Sequence, residues 1–469
     1  MVRDRRLALE GLESRRVMAG LVAVASDAGA TATSHIRLLD AETGAQVAAT
    51  TTPVFEAGFK GGVRLAMGDV TGDGIAEVIA APGRGRVGEI RVFARVGSEL
   101  TELTDFRTRP FGPSYTAGIE LASGDVDGDG LDDVVAAMAS GSGTVKVFLA
   151  ERMPGAAIDD PAAITIQPAV ARKYRGGATV AVADVGTFAN GAAVSTTMPD
   201  NKMEIVVGSG AGMPARVLVY DVSNRASPRL ADTIVPGAYK NQAGISVTSM
   251  RANADIIDDI VVSAGRGGRS FTQIYDGTVS SQDNARIAFF SALGGTARPN
   301  APLFTAAVDT NGDGVADRFL QSQGDVGGTS GISNVSLAGV RQGAVSGLGG
   351  PLRIAAPRIG FQTQFTASGL SYFDVTVGSG AVPTESSLLT VHYTGRYPNG
   401  TVFDTSRDGS NTPAEFTLGG VIPGFGEGLS TMRVGGRRIL FIPSRIAYNG
   451  AAGNPAGDLI FEVELLAVR

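Results

Sequence analysis

Three acidic stretches of the chain are spaced as a cage for a hard cation requires. Asp125, Asp127, Asp129 and Asp133 hold positions one, three, five and nine of a loop, with the Leu131 carbonyl at seven and glycines for the sharp turn. Oxygen ligands in that order suit calcium. Asp309, Asn311, Asp313 and Asp317, with the Val315 carbonyl, repeat the set. Asp69, Thr71, Asp73 and Glu77, with the Ile75 carbonyl, form a variant whose ninth ligand is longer. Two related stretches have lost the pattern. Arg251 leads Asn253, Asp255 and Asp259, where its charge repels a cation, and Asp184, Asp200 and Glu204 surround an insertion. The expected role of calcium is structural, pinning a turn; the plainer alternative is an Asp-Gly turn satisfied by its own backbone. Other site chemistries are excluded by residue type. There is no cysteine, so no disulfide, zinc-thiolate centre, iron-sulfur cluster or thiol nucleophile is possible. His35 and His392 are the only histidines, which rules out a multi-histidine metal centre and leaves a Ser-His-Asp triad only these two to draw on.

The acidic turns belong to a repeat. The leading aspartates Asp69 and Asp125 lie 56 residues apart, and Asp184 follows 59 further on. Each is preceded by an alternating apolar stretch, such as Gly61-Gly62-Val63-Arg64-Leu65-Ala66-Met67-Gly68 or Ala117-Gly118-Ile119-Glu120-Leu121-Ala122-Ser123-Gly124. Each is followed by an apolar run such as Asp133-Val134-Val135-Ala136-Ala137 and a further strand such as Thr144-Val145-Lys146-Val147-Phe148. Five copies are legible, the fourth eroded at Arg251. About four short strands per unit predicts the blade of a β-propeller, whose sheets bury their faces against neighbouring blades. These residues resemble the FG-GAP or VCBS repeats of integrin-type propellers over residues 34–350, which implies five to seven blades. The stretch after Phe319 is too degraded to count, and 351–367 reads as a linker.

Residues 368–469 have a different character, alternating strand and turn around one compact helix expected near Gly424 to Met432. Val391-His392-Tyr393-Thr394-Gly395, Gly400-Thr401-Val402-Phe403-Asp404-Thr405-Ser406, Val421-Ile422-Pro423-Gly424-Phe425-Gly426-Glu427-Gly428-Leu429 and Leu459-Ile460-Phe461-Glu462-Val463-Glu464-Leu465-Leu466 resemble the FKBP-type peptidyl-prolyl isomerases, in the right order. The resemblance implies a small α+β domain that turns X-Pro bonds without a cofactor. It also implies a pocket floored by Phe425, where many relatives have tryptophan, and walled by Tyr393, Phe403, Val421, Ile422 and Phe461. Tyr448 would donate its hydroxyl to the substrate carbonyl, and Asp404 would polarise the pocket edge. Rotation about X-Pro faces a barrier of roughly 18–20 kcal/mol set by amide resonance. Desolvation in an apolar pocket together with a donor or two suffices to lower it, so no nucleophile is needed. Two departures from the family open the pocket. Ala414 sits where some members place an aromatic wall, and the loop 449–458 lacks the usual Ile-Pro-Pro.

The whole chain of 469 residues carries 65 glycines, 18 % charged residues and a net charge of −6. This is a globular, turn-rich and mainly β composition, without the basic face that nucleic acid binding requires. Arg3, Arg5, Arg6, Arg15 and Arg16 precede the uncharged run Val17 to Ser26, and Ala23-Val24-Ala25 offers a cleavage pattern, so residues 1–33 read as a leader for export. Leu12-Glu13-Ser14-Arg15-Arg16-Val17-Met18-Ala19 resembles a short leader motif of large bacterial surface proteins. No run reaches the roughly 18 apolar residues of a membrane helix. Two functions follow: an exported prolyl isomerase acting on proline-containing polypeptides and targeted by its propeller to a protein or surface, or a cell-surface binding protein whose isomerase fold is eroded. A hydrolase or lyase on the propeller has little to support it, since His35 lies outside the repeats.

Overall fold

The computed structural model describes residues 20–29, 33–155, 164–168, 174–189, 192–195, 199–212, 214–237, 244–253, 255–265, 271–277, 286–291, 302–310, 314–323, 332–337, 341–345, 352–359, 363–398 and 400–469. The chain divides into two compact units, one of residues 1–185 and 202–360, the other of 186–201 and 361–469.

The first unit is a propeller of six four-stranded antiparallel blades among the described residues. Five follow the repeat, each beginning with its innermost strand: Val63–Gly68, Ile119–Gly124, Ala178–Ala183, Ile245–Met250 and Leu303–Val308. The strands that follow the acidic turns, such as Glu77–Pro82 and Asp133–Met138, are buried almost throughout. A blade is covered on both faces by its neighbours, so its second strand reads as a continuous apolar run rather than an alternation. The sixth blade includes Ile332–Ser336 and Arg341–Val345, which lie in the stretch that looked too degraded from sequence.

Blade one has a different construction. Its strands are Leu21–Ser26, Ile36–Asp40 and Gln46–Ala49, and its innermost strand is Leu352–Ala355, paired antiparallel with Leu21–Ser26. The inner strands pack in a closed circuit, with Leu352–Ala355 touching both Leu303–Val308 and Val63–Gly68. Two expectations from sequence therefore change. Leu21–Ser26, read as part of a leader, is an interior strand in which Val22 and Ala23 are fully buried, and Leu352–Ala355, read as linker, closes the ring. Both are short uncharged runs or nearly so, with no acidic turn beside them, and nothing local marks them as blade strands. The inner strands surround a cavity of about 120 Å³, which Arg353 and Arg358 also line.

The second unit is built on one antiparallel sheet. Its strand order is Gln364–Phe365, Ser371–Thr376, Arg437–Ile442, Leu459–Val468, Leu388–Arg396 and Val402–Thr405, and Ala414–Thr417 pairs with the first half of Leu388–Arg396. Its α-helix among the described residues, Pro423–Ser430, starts with proline in its first turn, a position whose missing N–H costs nothing there. It lies very close to the sheet. A Cβ at Gly424 would stand 2.5 Å from Ile442 Cγ2, and one at Gly428 would stand 2.4 Å from Leu440 Cδ2. Arg438 ties down the far end of the helix, donating from Nη1 to the Gly428 carbonyl and to Thr431 Oγ1, both at 2.6 Å. Its other nitrogens form a forked pair with Asp374 at 2.8 and 2.9 Å.

Candidate functional site

The helix and sheet of the second unit enclose an aromatic cluster. Phe425, in the first turn of the helix, is 3 % exposed and stands edge-on to Phe461, with ring centres 4.9 Å apart. Phe461 in turn meets Phe403 edge-on at 5.5 Å and Tyr393 at 6.2 Å, and Tyr393 meets Phe425 at 6.1 Å. Phe425 is presented by the turn that its own N–H and that of Gly426 make to the Ile422 carbonyl. Tyr393 and Phe461 face one another because Leu388–Arg396 and Leu459–Val468 are neighbours, in a register that sets Tyr393 beside Val463 and Gly395 beside Phe461. Val421, Ile422 and Tyr448 pack on the same cluster and are half-buried. Seven of the eight residues expected at the pocket from sequence are thus in one cluster, and the eighth, Asp404, stands at its edge.

One polar contact stands at the edge. The Tyr393 hydroxyl donates to Asp404 Oδ2 at 2.6 Å, and the Asp404 side chain is exposed. Burial, and then the bond to Asp404, hold the tyrosine hydroxyl above its ordinary range, so it remains a neutral donor. His392 points to the opposite face and engages Ser406, Nδ1 to Oγ 3.0 Å, a structural role. Sequence reasoning missed Phe416. It lies two residues after Ala414, on the same face of that strand, with its ring 5.7 Å from Tyr393 and 6.1 Å from Phe425. The alternation in Ala414-Glu415-Phe416-Thr417 was the available signal. Ala414 itself supplies no ring, and residues 449–458 are exposed apart from Pro455.

The acidic turns of the propeller form a second set of sites. In blade three, oxygens of Asp125, Asp127 and Asp133 lie within 4.8 Å of one another, and Asp129 stands outside that group. The loop is templated by backbone donors. Gly128 and Gly130 N–H give to the two Asp125 oxygens at 2.7 and 2.9 Å, Leu131 N–H gives to Asp129, and Val126 and Ala150 N–H give to Asp133. Burial and the neighbouring carboxylates push Asp125 up to about 7 and Asp133 to about 8. Buried carboxylates with nothing but one another and peptide donors are short of positive charge, which is what a hard divalent cation supplies. Arg225 meets part of the deficit, reaching Asp127 Oδ2 at 2.7 Å from the rim. Blade two repeats the template, with Gly72 and Gly74 N–H on Asp69 and Val70 N–H on Glu77, but Thr71 donates to Glu77 and the carboxylates are not gathered as tightly. In blade six Asp309 accepts from Gly314 N–H and Asp317 from Thr310 N–H. Asn311 and Asp313, the remaining ligands expected there, lie outside the described residues. Asp184 and Glu204 of blade four keep part of the backbone scheme, with Val185 N–H giving to Glu204.

A small antiparallel sheet, a short helix and a nest of aromatic rings edged by a tyrosine–carboxylate pair thus make up the described part of the second unit. The comparisons with known proteins say which family this is. The FKBP-type peptidyl-prolyl cis-trans isomerase family matches residues 380–466, and the FG-GAP-like repeat matches 69–136. The FK506-binding protein of Neisseria meningitidis is 46 % identical over 106 residues, which are 21 % of this chain and 96 % of that protein. Through its C-terminal domain, the chain belongs to the FKBP-type peptidyl-prolyl cis-trans isomerases. The FkpA isomerase of Aeromonas hydrophila is 46 % identical over 107 residues, and the 22 kDa FKBP-type isomerase of Escherichia coli 45 % identical over 107. In each case the match covers 22 % of this chain, and it spans 40 % and 52 % of those relatives. The crystal structure of Escherichia coli FkpA matches over 23 % of this chain and 51 % of that one, at 39 % identity and a TM-score of 0.22.

Proposed function

We propose that the chain is a prolyl cis-trans isomerase acting on X-Pro bonds in proteins, and that its propeller is the device that brings it to a protein or surface. The observation that carries this reading is the ring cluster around Phe425 with the Tyr393–Asp404 pair at its edge. In that pocket Phe425 is the floor, Tyr393, Phe403, Val421, Ile422 and Phe461 the walls, and Tyr448 the donor to the substrate carbonyl. Removing the peptide from water lowers the cost of twisting its amide, and a donor placed for the twisted form acts only in the transition state. Catalysis uses no cofactor. Calcium serves the propeller, held by Asp125, Asp127, Asp129, Asp133 and the Leu131 carbonyl in blade three, and by the corresponding oxygens in blades two and six. The domains run 34–350 for the repeats and 368–469 for the isomerase, with Leu21–Ser26 and Leu352–Ala355 added to the propeller and Gln364–Phe365 to the isomerase. Among the described residues no helix is long and apolar enough to cross a membrane. One relative is named an outer membrane protein, which supports a place in the periplasm or at the cell surface for this chain.

The test is isomerisation of a short X-Pro-Phe peptide by the full chain. Tyr448→Phe should lose about fivefold in kcat/KM, the worth of one neutral hydrogen bond, and Phe425→Ala at least about tenfold. Acceleration that disappears in both variants supports the assignment. No acceleration by the wild-type chain would make it a binding or adhesion protein with an isomerase-like fold.

A further inference from the structure

The loop of blade five is the blade-three loop with its first ligand and both turn glycines replaced, Arg251 for Asp125, Ala254 for Gly128 and Ile256 for Gly130, and with part of the remaining template kept. Asp255 N–H gives to Asn253 Oδ1 at 2.9 Å as Asp129 N–H gives to Asp127. Ile257 N–H gives to Asp255 Oδ1 at 3.0 Å as Leu131 N–H gives to Asp129. Ala252 N–H gives to Asp259 Oδ2 at 2.8 Å, and Gly277 N–H to the other Asp259 oxygen, as Val126 and Ala150 do for Asp133. The loop has thus kept the backbone bonds to its fifth and ninth residues and the carboxylates of Asp255 and Asp259, but it has no glycine at the places of Gly128 and Gly130, whose N–H groups serve Asp125. Asp276 adds a third negative charge to their surroundings.

Position one is Arg251, and its side chain is folded into the loop. The residue is 2 % exposed. Its Nε and Nη2 donate to the Asp255 carbonyl, and Nη1 donates at 3.0 Å to the carbonyl of Gly314, in the turn of blade six. The Arg251 carbonyl in turn accepts from Ala316 N–H at 2.8 Å, so the two blade turns are stitched in both directions. A guanidinium is always charged and offers several donors in a fixed fork, which lets one side chain satisfy carbonyls from two loops.

We propose that Arg251 is a covalently supplied substitute for the cation of the blade-three loop, so that the blade-five turn is closed permanently and without metal. The proposal rests on the reading that the blade-three loop holds calcium. The substitution Arg251→Asp, made together with Ala254→Gly and Ile256→Gly to restore the turn, should put an acidic ligand back at position one, ahead of Asn253, Asp255 and Asp259, and convert the turn into a calcium site.

The experiment is calcium titration by calorimetry and thermal melting, with calcium and with chelator, on full-length wild type, Arg251→Asp in the chain with the two restored glycines, and Arg251→Met. Arg251→Asp should bind one equivalent more than wild type, and its calcium-induced rise in Tm should exceed the wild-type rise by about 3–6 °C. Arg251→Met should melt below wild type by the same margin in calcium and in chelator. Wild-type binding with no extra equivalent in Arg251→Asp overturns the substitution, as does an Arg251→Asp chain that calcium fails to restore or an Arg251→Met chain that melts like wild type. A wild-type chain that binds no calcium overturns the blade-three reading instead, and this inference with it.

Discussion

Tyr393 shows how one side chain can serve both the core and the site. Its ring is part of the aromatic nest, while its hydroxyl is spent on Asp404 at the rim. Tyr393→Phe would leave the ring packing in place and release an exposed carboxylate that water can solvate. The cost should therefore fall on catalysis more than on stability: a loss of about threefold to tenfold in kcat/KM with Tm nearly unchanged, measured by peptide isomerisation and a thermal melt. Because the hydroxyl is held above its ordinary range, the wild-type rate should show no fall across the neutral region attributable to it. That Tyr393, Phe403, Val421, Ile422, Phe425 and Phe461 share one cluster was legible in the sequence because the family motifs contain them, whereas burial alone would have put Tyr393, Val421, Ile422 and Phe461 in an ordinary core. Phe416 escaped notice for the opposite reason. It sits outside the motifs, and only the pairing of Ala414–Thr417 with Leu388–Arg396 brings its ring to Phe425.

At the scale of the element, the helix Pro423–Ser430 is held by close approach rather than by bulk. Gly424→Ala or Gly428→Ala would drive a methyl into Ile442 or Leu440, and overpacking of this kind costs about 1–3 kcal/mol. Since Phe425 rides on the same helix, each variant should also lose isomerase activity, which separates it from a surface Gly→Ala change of equal helix propensity. The acidic turns make a second prediction. In the metal-free chain, burial first and then Asp73 and Asp69 raise Glu77 to about 8. Burial and then, among charges, Asp127 and Asp125 raise Asp133 to about 8, and Asp125 itself, buried and faced by Asp132 and Asp129, lies at about 7. Groups raised above their unfolded values favour the fold fully below about pH 4, and that contribution is lost as pH climbs through 7 and 8. In chelator the propeller should therefore melt lower at about pH 8.5 than at about pH 5.5, and calcium should raise Tm more at the higher pH. A chelated chain whose Tm rises steadily over that interval would count against the charge deficit in these turns. The turns and their flanking strands were readable because an aspartate-led turn ending in Gly-Asp-Gly recurs at Asp69, Asp125 and Asp309, each time after an apolar strand. The third and fourth strands of blade six were not, since no acidic turn separates them and their residues are small and polar.

Ring closure is a property of the whole propeller, and it joins residues that the sequence keeps more than three hundred positions apart. Arg353, on the closing strand, donates to Asp27 Oδ1 at 3.2 Å and to both oxygens of Glu120 at 2.8 and 3.1 Å, and its guanidinium lies 3.6 Å from the centre of the Phe304 ring. Arg64 reaches the same two carboxylates at 2.7 and 3.2 Å. Two cations and two anions from blades one, two and three thus form a neutral, largely buried square, and blade six covers it with an aromatic face. Asp27 shows the balance: burial would raise its carboxyl, but Arg64 and Arg353 together bring it below the usual range. No local pattern announces this square, because each member looks like an ordinary charge on a strand; a chain cut after Ala25 would lose most of the strand that carries the network into blade one. Arg353→Met should cost about 3–5 kcal/mol, since two carboxylates would be left to one arginine in a site that water does not reach freely. Adding Glu120→Gln removes the surplus anion and leaves the Arg64–Asp27 pair intact. The double variant should therefore melt closer to wild type than the sum of the two single losses, with a coupling of about 1–3 kcal/mol between the sites. Strict additivity in that cycle would mean that the closing strand is held by its backbone pairing with Leu21–Ser26 and its packing between blades two and six, and that the charges merely accompany it.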